Sequence, residues 1–318
     1  MREPLRLIPD YRVRVWGGQR LRTGPEPIGE AWIVYEQDRV AEGPLAGRTL
    51  AEVAEAAGEA LLGRQPVGKT GRRFPLLIKL LDCAEWLSLQ VHPDDALAEQ
   101  LEGPGHFGKT EAWHILEAAP NAQVISGLRP GATPEALAQA VQEGTLLDLV
   151  KYLAVRAGDT IFTPAGTIHA LGPGLLLYEV QQTSDITYRV YDWGRSQTEG
   201  RALHIDKSLA AANSAAVGQA RPLPPLPDDG RSLLVTCPYF TLELIGAQTR
   251  RVDLDTSGES FHALTVVAGK AEIEGSGWNR ALSRFETLLI PAACGAYRVH
   301  PRDKCRLLKA SAEEMFEP

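Results

Sequence analysis

The sequence predicts a mainly β protein, built as two β-sandwich domains with a few helices. Three observations carry this expectation. Apolar and β-branched residues recur in short runs, such as 175–180 and 262–267, whose length and composition suit strands. Glycine and proline, 30 and 22 of 318 residues, interrupt those runs often enough to join many strands by tight turns. A segment around 214–232, centred on Arg221-Pro222-Leu223-Pro224-Pro225-Leu226-Pro227-Asp228-Asp229-Gly230, has no periodicity and reads as an extended linker.

The chain is longer than one hydrophobic core usually supports. The expected division is therefore a first domain over 1–215, a linker over 216–232 and a smaller β domain over 233–318. Thr49 and Glu52 form a capping box ahead of Leu50, Val53, Ala54, Ala57 and Leu61, with Gly63 as the stop, so a helix is expected there. Thr133-Pro134-Glu135 opens a second helix, which Gly144 ends. A short helix is expected through Leu146, Leu147, Leu149 and Val150. Strands are expected over 88–92, 111–116, 175–180 and 187–191. In the second half they are expected over 240–245, 262–267, 271–274, 287–290 and 305–309.

Composition narrows the functional classes. Apolar residues form 44% of the chain, ample for packed interiors. The net charge of −7, with no Lys/Arg-rich run, argues against a nucleic-acid partner. No apolar stretch reaches the roughly 18 to 20 residues that span a bilayer, and Met1 to Arg14 lacks an apolar signal core. A cytoplasmic monomer is expected. Cys83, Cys237, Cys294 and Cys305 show no CxxC spacing and read as reduced structural thiols.

One group of residues suggests chemistry. Gln90 and His92 are two apart, so on a strand both face the same side. Glu111 opens the next apolar run. His169 ends Gly158-Asp159-Thr160-Ile161-Phe162-Thr163-Pro164-Ala165-Gly166-Thr167-Ile168-His169, a strand and a turn followed by a histidine at a strand start. A lone histidine on an apolar strand is more often a hydrogen-bonded core residue, and a lone glutamate a surface carboxylate. Together, two nitrogens and two oxygens suit one zinc ion, with cobalt or manganese as substitutes. The spacing Gly-x5-Pro-x-Gly-x2-His matches the second signature of the cupin (jelly-roll) sandwich.

Five stretches then carry a closer resemblance. They are Trp16-Gly17-Gly18 with Gly29-Glu30-Ala31-Trp32; Leu77-Ile78-Lys79-Leu80-Leu81-Asp82; Leu87-Ser88-Leu89-Gln90-Val91-His92-Pro93-Asp94-Asp95; Gly108-Lys109-Thr110-Glu111-Ala112-Trp113; and Pro164-Ala165-Gly166-Thr167-Ile168-His169-Ala170, continuing through Tyr178-Glu179-Val180-Gln181-Gln182-Thr183-Ser184-Asp185 to Tyr188-Arg189-Val190-Tyr191-Asp192-Trp193. In this order, over residues 10–200, they resemble the type I mannose-6-phosphate isomerases of the short bacterial form, which are built from cupin domains. The part after the linker matches that family in pattern only.

The resemblance implies an aldose–ketose isomerase acting on a sugar phosphate, with a zinc ion held by Gln90, His92, Glu111 and His169. It implies that Arg189 is catalytic. On the sequence alone, Arg189 could equally pair with Asp185 or Asp192. A fixed guanidinium stabilises developing oxyanion charge, and a base must move a proton between C2 and C1 through a cis-enediol. Glu179 and Lys109 are the candidates for proton transfer; Lys109 shares a strand face with Glu111. Lys79 and Ser88 are candidate phosphate contacts. His114, beside Trp113, is expected to pack away from the site. Three rivals stand against this reading: a metal-dependent cupin isomerase for glucose 6-phosphate, an iron oxygenase, and a non-catalytic sugar-binding bicupin. An oxygenase would want more imidazole ligands, and a binding protein would not need Glu179 and Arg189 in one pocket.

Overall fold

The computed structural model describes residues 1–196 and 201–312. In chain order the elements are β1 (Asp10–Gly18), β2 (Ile28–Val34), α1 (Leu50–Ala57), α2 (Glu59–Leu62), α3 (Arg64–Thr70), β3 (Leu76–Cys83), β4 (Leu89–Val91), α4 (Asp95–Glu102), β5 (Glu111–Ala118), β6 (Gln123–Leu128), α5 (Pro134–Glu143), β7 (Val150–Ala154), β8 (Thr160–Thr163), β9 (His169–Leu171), β10 (Leu175–Gln182), β11 (Tyr188–Tyr191) and α6 (Ile205–Ala211). There follow β12 (Ala220–Arg221), β13 (Gly230–Thr236), β14 (Thr241–Ala247), β15 (Val252–Asp255), β16 (His262–Ala268), β17 (Lys270–Gly275), β18 (Trp278–Ser283), β19 (Thr287–Ile290), β20 (Ala296–Pro301) and β21 (Cys305–Ser311). The protein is mainly β, in antiparallel sheets consistent with a cupin-like fold.

Contacts divide the chain into two compact units. One comprises Tyr11–Ala31 and Lys79–Pro222; the other comprises Met1–Asp10, Trp32–Ile78 and Leu223–Pro318. This grouping differs from the expected span 1–215, because 1–10 and 32–78 join the C-terminal residues. The joining contacts are long-range and leave no local sequence signal. Leu5 and Leu289 exchange backbone hydrogen bonds of 2.8 and 2.9 Å, and the Phe74 and Phe261 rings stack with centroids 4.6 Å apart.

The unit holding 79–222 has two facing sheets. One runs β1-β2-β3-β10-β5-β8-β12 and the other β11-β4-β9-β6-β7. Leu81, Trp113, Ile115, Ile161, Leu175 and Leu177 of the first pack against Val124 and Leu171 of the second. On β4 the alternation is clear: Leu89 and Val91 join a core with Leu137 and Leu146 at α5 and the turn after it, and with Ala211 of α6. Gln90, between them, faces the other way. The other unit stacks β13-β14-β21-β16-β19 on β15-β20-β17-β18, with Ile245, Leu264 and Leu307 meeting Leu254, Ile273 and Val299.

The capping box at Thr49 and Glu52 forms in both directions, at 3.2 and 2.8 Å. The single helix expected up to Gly63 is instead two short ones, because Gly58 adopts positive φ (51°) and turns the chain; Gly63 (95°) ends the second as expected, and α3 follows it. Helix α5 lies where expected, as do the strands over 111–116, 175–180 and 262–267; the short helix expected through Val150 is a 3-10 turn at Leu146–Asp148, and Val150 opens β7. Helices α4 and α6 had no clear periodic signal; only Ala98 of α4 is fully buried. All four cysteines are free. Among the described residues no helix is long and apolar enough to cross a membrane.

Candidate active site

Three strand ends and one loop converge in the first unit. On the five-stranded sheet, Gln90 is the register partner of both His169 on β9 and Arg189 on β11. On the facing sheet, Glu111 pairs with Gln181, and Glu179 with Trp113. His92 lies just past β4. Gly166, at φ 84°, makes the turn into β9, and an added Cβ there would meet Asn213 at 3.0 Å. Any other residue would be strained at this point and would shift His169.

His92, Glu111 and His169 are all buried, and their ligand atoms lie within 4.8 Å of one another. His92 Nδ1 is 2.7 Å from the Ile186 carbonyl, and His169 Nδ1 is 2.9 Å from the Thr167 carbonyl. A carbonyl only accepts, so each Nδ1 carries the proton and each Nε2 presents a lone pair. Those lone pairs point at a carboxylate: His92 Nε2 stands 3.3 Å from Glu111 Oε1, and His169 Nε2 3.5 Å from Glu111 Oε2. Acceptor facing acceptor is repulsive unless a cation lies between. Lys109 Nζ meets this need on one side, 2.5 Å from Glu111 Oε1 and 3.1 Å from His92 Nε2. On the other side Glu111 Oε2 is buried without a hydrogen-bond partner. An orphaned carboxylate oxygen beside a histidine lone pair fits a divalent metal.

Gln90 is in place but its amide is turned, with Nε2 3.2 Å from His169 Nε2. A half-turn of the amide would present Oε1 instead, and the two orientations differ only in which atom is named oxygen.

Electrostatics keep the donors in ligand form. Burial, reinforced by Lys109, pushes His92 down to about 3, and burial lowers His169 against the pull of Glu111. Both are neutral at pH 7. Burial would raise Glu111, but the charge of Lys109 and the contacts of His92 outweigh it and hold the carboxyl well below its usual range. Glu179 goes the other way: burial and the Glu111 charge raise it, against Lys79 and Lys109. Lys109 is lowered by burial, yet the two glutamates win and raise it, so it stays an ammonium.

Gln90, Lys109 and Glu179 line a cavity of about 550 Å³ together with Lys79, Ser88 and Arg189, while His92, Glu111 and His169 are buried behind that lining. Lys79 is not a free cation. Its Nζ is 3.2 Å from Glu179 Oε2 and 2.7 Å from Gln181 Oε1. Trp113 Nε1 donates to Glu179 Oε1 at 3.1 Å. Arg189 does not pair with Asp192, which takes Arg195 at 3.3 Å and Arg201 at 2.5 Å. His114 packs away from the site, against Thr160 at 2.9 Å.

Sequence reasoning missed the groups that hold the Lys109–Glu111 segment. Gln182 accepts from Thr110 N at 2.9 Å and donates to Asp95 Oδ1 at 2.9 Å, and Asp95 also accepts from Gly108 N at 2.8 Å. It also missed Arg14 and Arg201 on the cavity wall. The only signal for any of them was that Asp95 and Gln182 stand inside the quoted stretches.

Residues 5–113 match the model of the phosphomannose isomerase type I catalytic domain. The chain is 32% identical to a probable mannose-6-phosphate isomerase of Bacillus subtilis (GmuF) over 314 residues, 94% of this chain and 96% of that relative. The chain belongs to the type I mannose-6-phosphate isomerase family. A mannose-6-phosphate isomerase of Streptococcus mutans is 34% identical over 92% of this chain and 93% of its own length. The crystal structure of the mannose 6-phosphate isomerase from Bacillus subtilis superposes with a TM-score of 0.84 at 30% identity, covering 96% of this chain and 99% of that one. In this isomerase family member, the part that the family model matches contains Gln90, His92, Lys109 and Glu111, while His169, Glu179 and Arg189 lie beyond it.

Proposed function

We propose that this protein interconverts D-mannose 6-phosphate and D-fructose 6-phosphate, using one zinc ion held by Gln90, His92, Glu111 and His169. The observation that carries the reading is the buried His92–Glu111–His169 group, with its orphaned carboxylate oxygen, whose neighbours Gln90 and Lys109 line a cavity with Glu179 and Arg189. Separations among the donors support zinc. Four ligands about 2.0–2.1 Å from a tetrahedral ion stand roughly 3.3–3.4 Å apart, and the neighbouring polar atoms of this group are 3.3, 3.5 and 3.2 Å apart. When bound, the metal would polarise the sugar oxygens at C1 and C2.

The rest of the reaction falls to the chain's own groups. The aldehyde form of the substrate must lose a proton from C2 and regain one at C1 through a cis-enediol. Glu179 is the better base: its raised pKa brings it toward working pH, and Trp113 and Lys79 hold the carboxylate in place. Lys109, kept protonated by two glutamates, instead fixes Glu111 and can hand a proton to a sugar oxygen. Arg189 has a buried Nε without a partner, a donor available to an enediolate oxygen. Ser88 lines the same cavity as a neutral hydroxyl. The reading keeps the expectation of a cytoplasmic monomer.

The test is direct. Metal-loaded protein is incubated with mannose 6-phosphate and fructose 6-phosphate is followed, then the assay is repeated after chelation and after adding zinc back. Turnover that is lost on chelation and restored by zinc supports the reading. Absence of turnover with metal present refutes it.

A further inference from the structure

We propose that the substrate's phosphate is received by Arg201, flanked by Arg14, at the end of a ladder that begins at the metal group. This rests on the isomerase reading and adds to it the seat of the charged end.

The charges on the cavity wall decide where a dianion can sit. Lys79 is neutralised by Glu179, Lys109 by Glu111, and Arg14 by Glu30 at 3.1 Å. Arg201 differs, because its partner Asp192 is shared with Arg195. Arg195 also takes Glu85 at 2.8 Å, so Asp192 and Glu85 balance Arg195 and Arg201; among the described residues Arg189 has no carboxylate partner and leaves one positive charge in excess, and of these three guanidiniums Arg189 and Arg201 line the cavity. Its Nε and Nη2 face Asp192, which leaves the Nη1 edge of the fork for an anion. Arg14 uses Nε and Nη2 on Glu30, and its Nη1 makes only a long contact of 3.3 Å to the Val13 carbonyl. Lys79 and Ser88, expected from the sequence, are the weaker seat: Lys79 is spent on Glu179 and Gln181 and Ser88 carries no charge.

The backbone sets the order of these groups. His169 on β9 pairs with Gln90 on β4, and Gln90 pairs with Arg189 on β11. Arg189 in turn runs beside 202–204: its Nη1 donates to the Ala202 carbonyl at 3.0 Å, and His204 N donates to its carbonyl at 2.8 Å. Neighbouring strands are roughly 4.8 Å apart, so the steps His169, Gln90, Arg189 and the Arg201 segment lay out a line across the cavity. A hexose 6-phosphate needs this arrangement, with C1 and C2 at one end and the phosphate four carbons beyond C2. Arg189 then stands between the ends, free for the reacting oxygens. Burial and the charges of Arg201 and Arg14 destabilise the protonated Arg189, and Asp192 offsets them only in part, which agrees with three guanidiniums sharing one wall.

The experiment compares wild type with Arg201→Gln, Arg201→Lys and Arg14→Gln, all metal-loaded. Two readouts are taken: KM and kcat with mannose 6-phosphate, and binding of inorganic phosphate followed by the fluorescence of Trp16 and Trp113, which line the cavity. Arg201→Gln is expected to raise KM and weaken phosphate binding by a similar factor, about 10- to 100-fold, with kcat within about threefold of wild type. Arg201→Lys keeps a charge for Asp192 but loses the two-nitrogen fork, so its loss should be smaller, and Arg14→Gln smaller again. Unchanged phosphate affinity in Arg201→Gln, or a fall in kcat at constant KM, overturns the proposal. If Arg201→Gln fails to fold, Arg201→Lys and Arg14→Gln decide, and unchanged phosphate affinity in both overturns it. Failure of the isomerase reading looks different: wild type would not turn over mannose 6-phosphate, while phosphate binding would still report on Arg201.

Discussion

Both units of this chain bury a lysine, a glutamate and a histidine inside a β-sandwich, yet only one of them reads as a reactive centre. In the second unit Lys309 Nζ is 2.6 Å from Glu243 Oε2 and 3.5 Å from His262 Nε2, while His262 Nδ1 meets the Tyr297 hydroxyl at 2.7 Å. Both ring nitrogens of His262 face a group that can complement them. In the first unit the histidine lone pairs face a carboxylate, and Glu111 Oε2 has no donor; Glu243 Oε2 of the second unit also lacks a hydrogen bond, but the Lys309 ammonium stands 2.6 Å from it. Both groups are buried, but Lys109 of the first also lines a cavity, together with Gln90 and Glu179. Burial of charged groups alone is thus a poor sign of function; mismatch among buried polar groups is a better one.

Substitutions can break this contrast, starting with the largest effect. Glu179→Gln should lower kcat by about 100- to 10,000-fold while the metal content stays near wild type, with some loss of stability because Lys79 is left without its carboxylate. A matching loss of metal would instead make Glu179 structural. Lys309→Met should do the opposite. It leaves Glu243 buried with Arg231, 3.8 Å away, as its remaining ion-pair partner. The expected cost is about 3–5 kcal/mol of stability in denaturant unfolding, with unchanged kcat per folded molecule. Lost activity in well-folded Lys309→Met would refute the division of roles.

A pH series sharpens the comparison further. His92, His169 and His262 all have folded pKa values pushed down, chiefly by burial. For a base whose folded pKa is depressed, the unfolded chain binds the proton first. Stability is therefore full above about pH 6.5 and falls as pH drops below it, by up to about 1.4 kcal/mol per pH unit for each histidine until its own folded pKa is reached. Metal-free protein should show this slope in urea between pH 6.5 and 4. His262→Asn should make it shallower by one histidine's share. An unchanged slope in that variant would mean that His262 titrates normally in the fold.

Much of this contrast was legible in the sequence, and the rest was hidden for identifiable reasons. The i and i+2 spacing of Gln90 and His92 announced a shared face, because strand periodicity is local. Gly158 to His169 announced its turn because Pro164 and Gly166 restrict the backbone. The pairing of Lys79 with Glu179 joins residues far apart in sequence, and no spacing rule reaches across β3 and β10. Arg201 stayed invisible because its meaning depends on Asp192 being shared with Arg195. The break of the first helix was readable in Gly58 but was masked by the apolar repeat that continues to Leu61. The grouping of 32–78 with 223–318 depends on contacts such as that of Phe74 with Phe261, which no local pattern signals.

The most direct test of the central claim is the zinc stoichiometry of purified protein, measured by elemental analysis after dialysis, for wild type, His169→Asn and His262→Asn. The account predicts one zinc per chain in wild type and His262→Asn, and a large loss in His169→Asn. Zinc retained at the wild-type level in His169→Asn, or lost in well-folded His262→Asn, would contradict it.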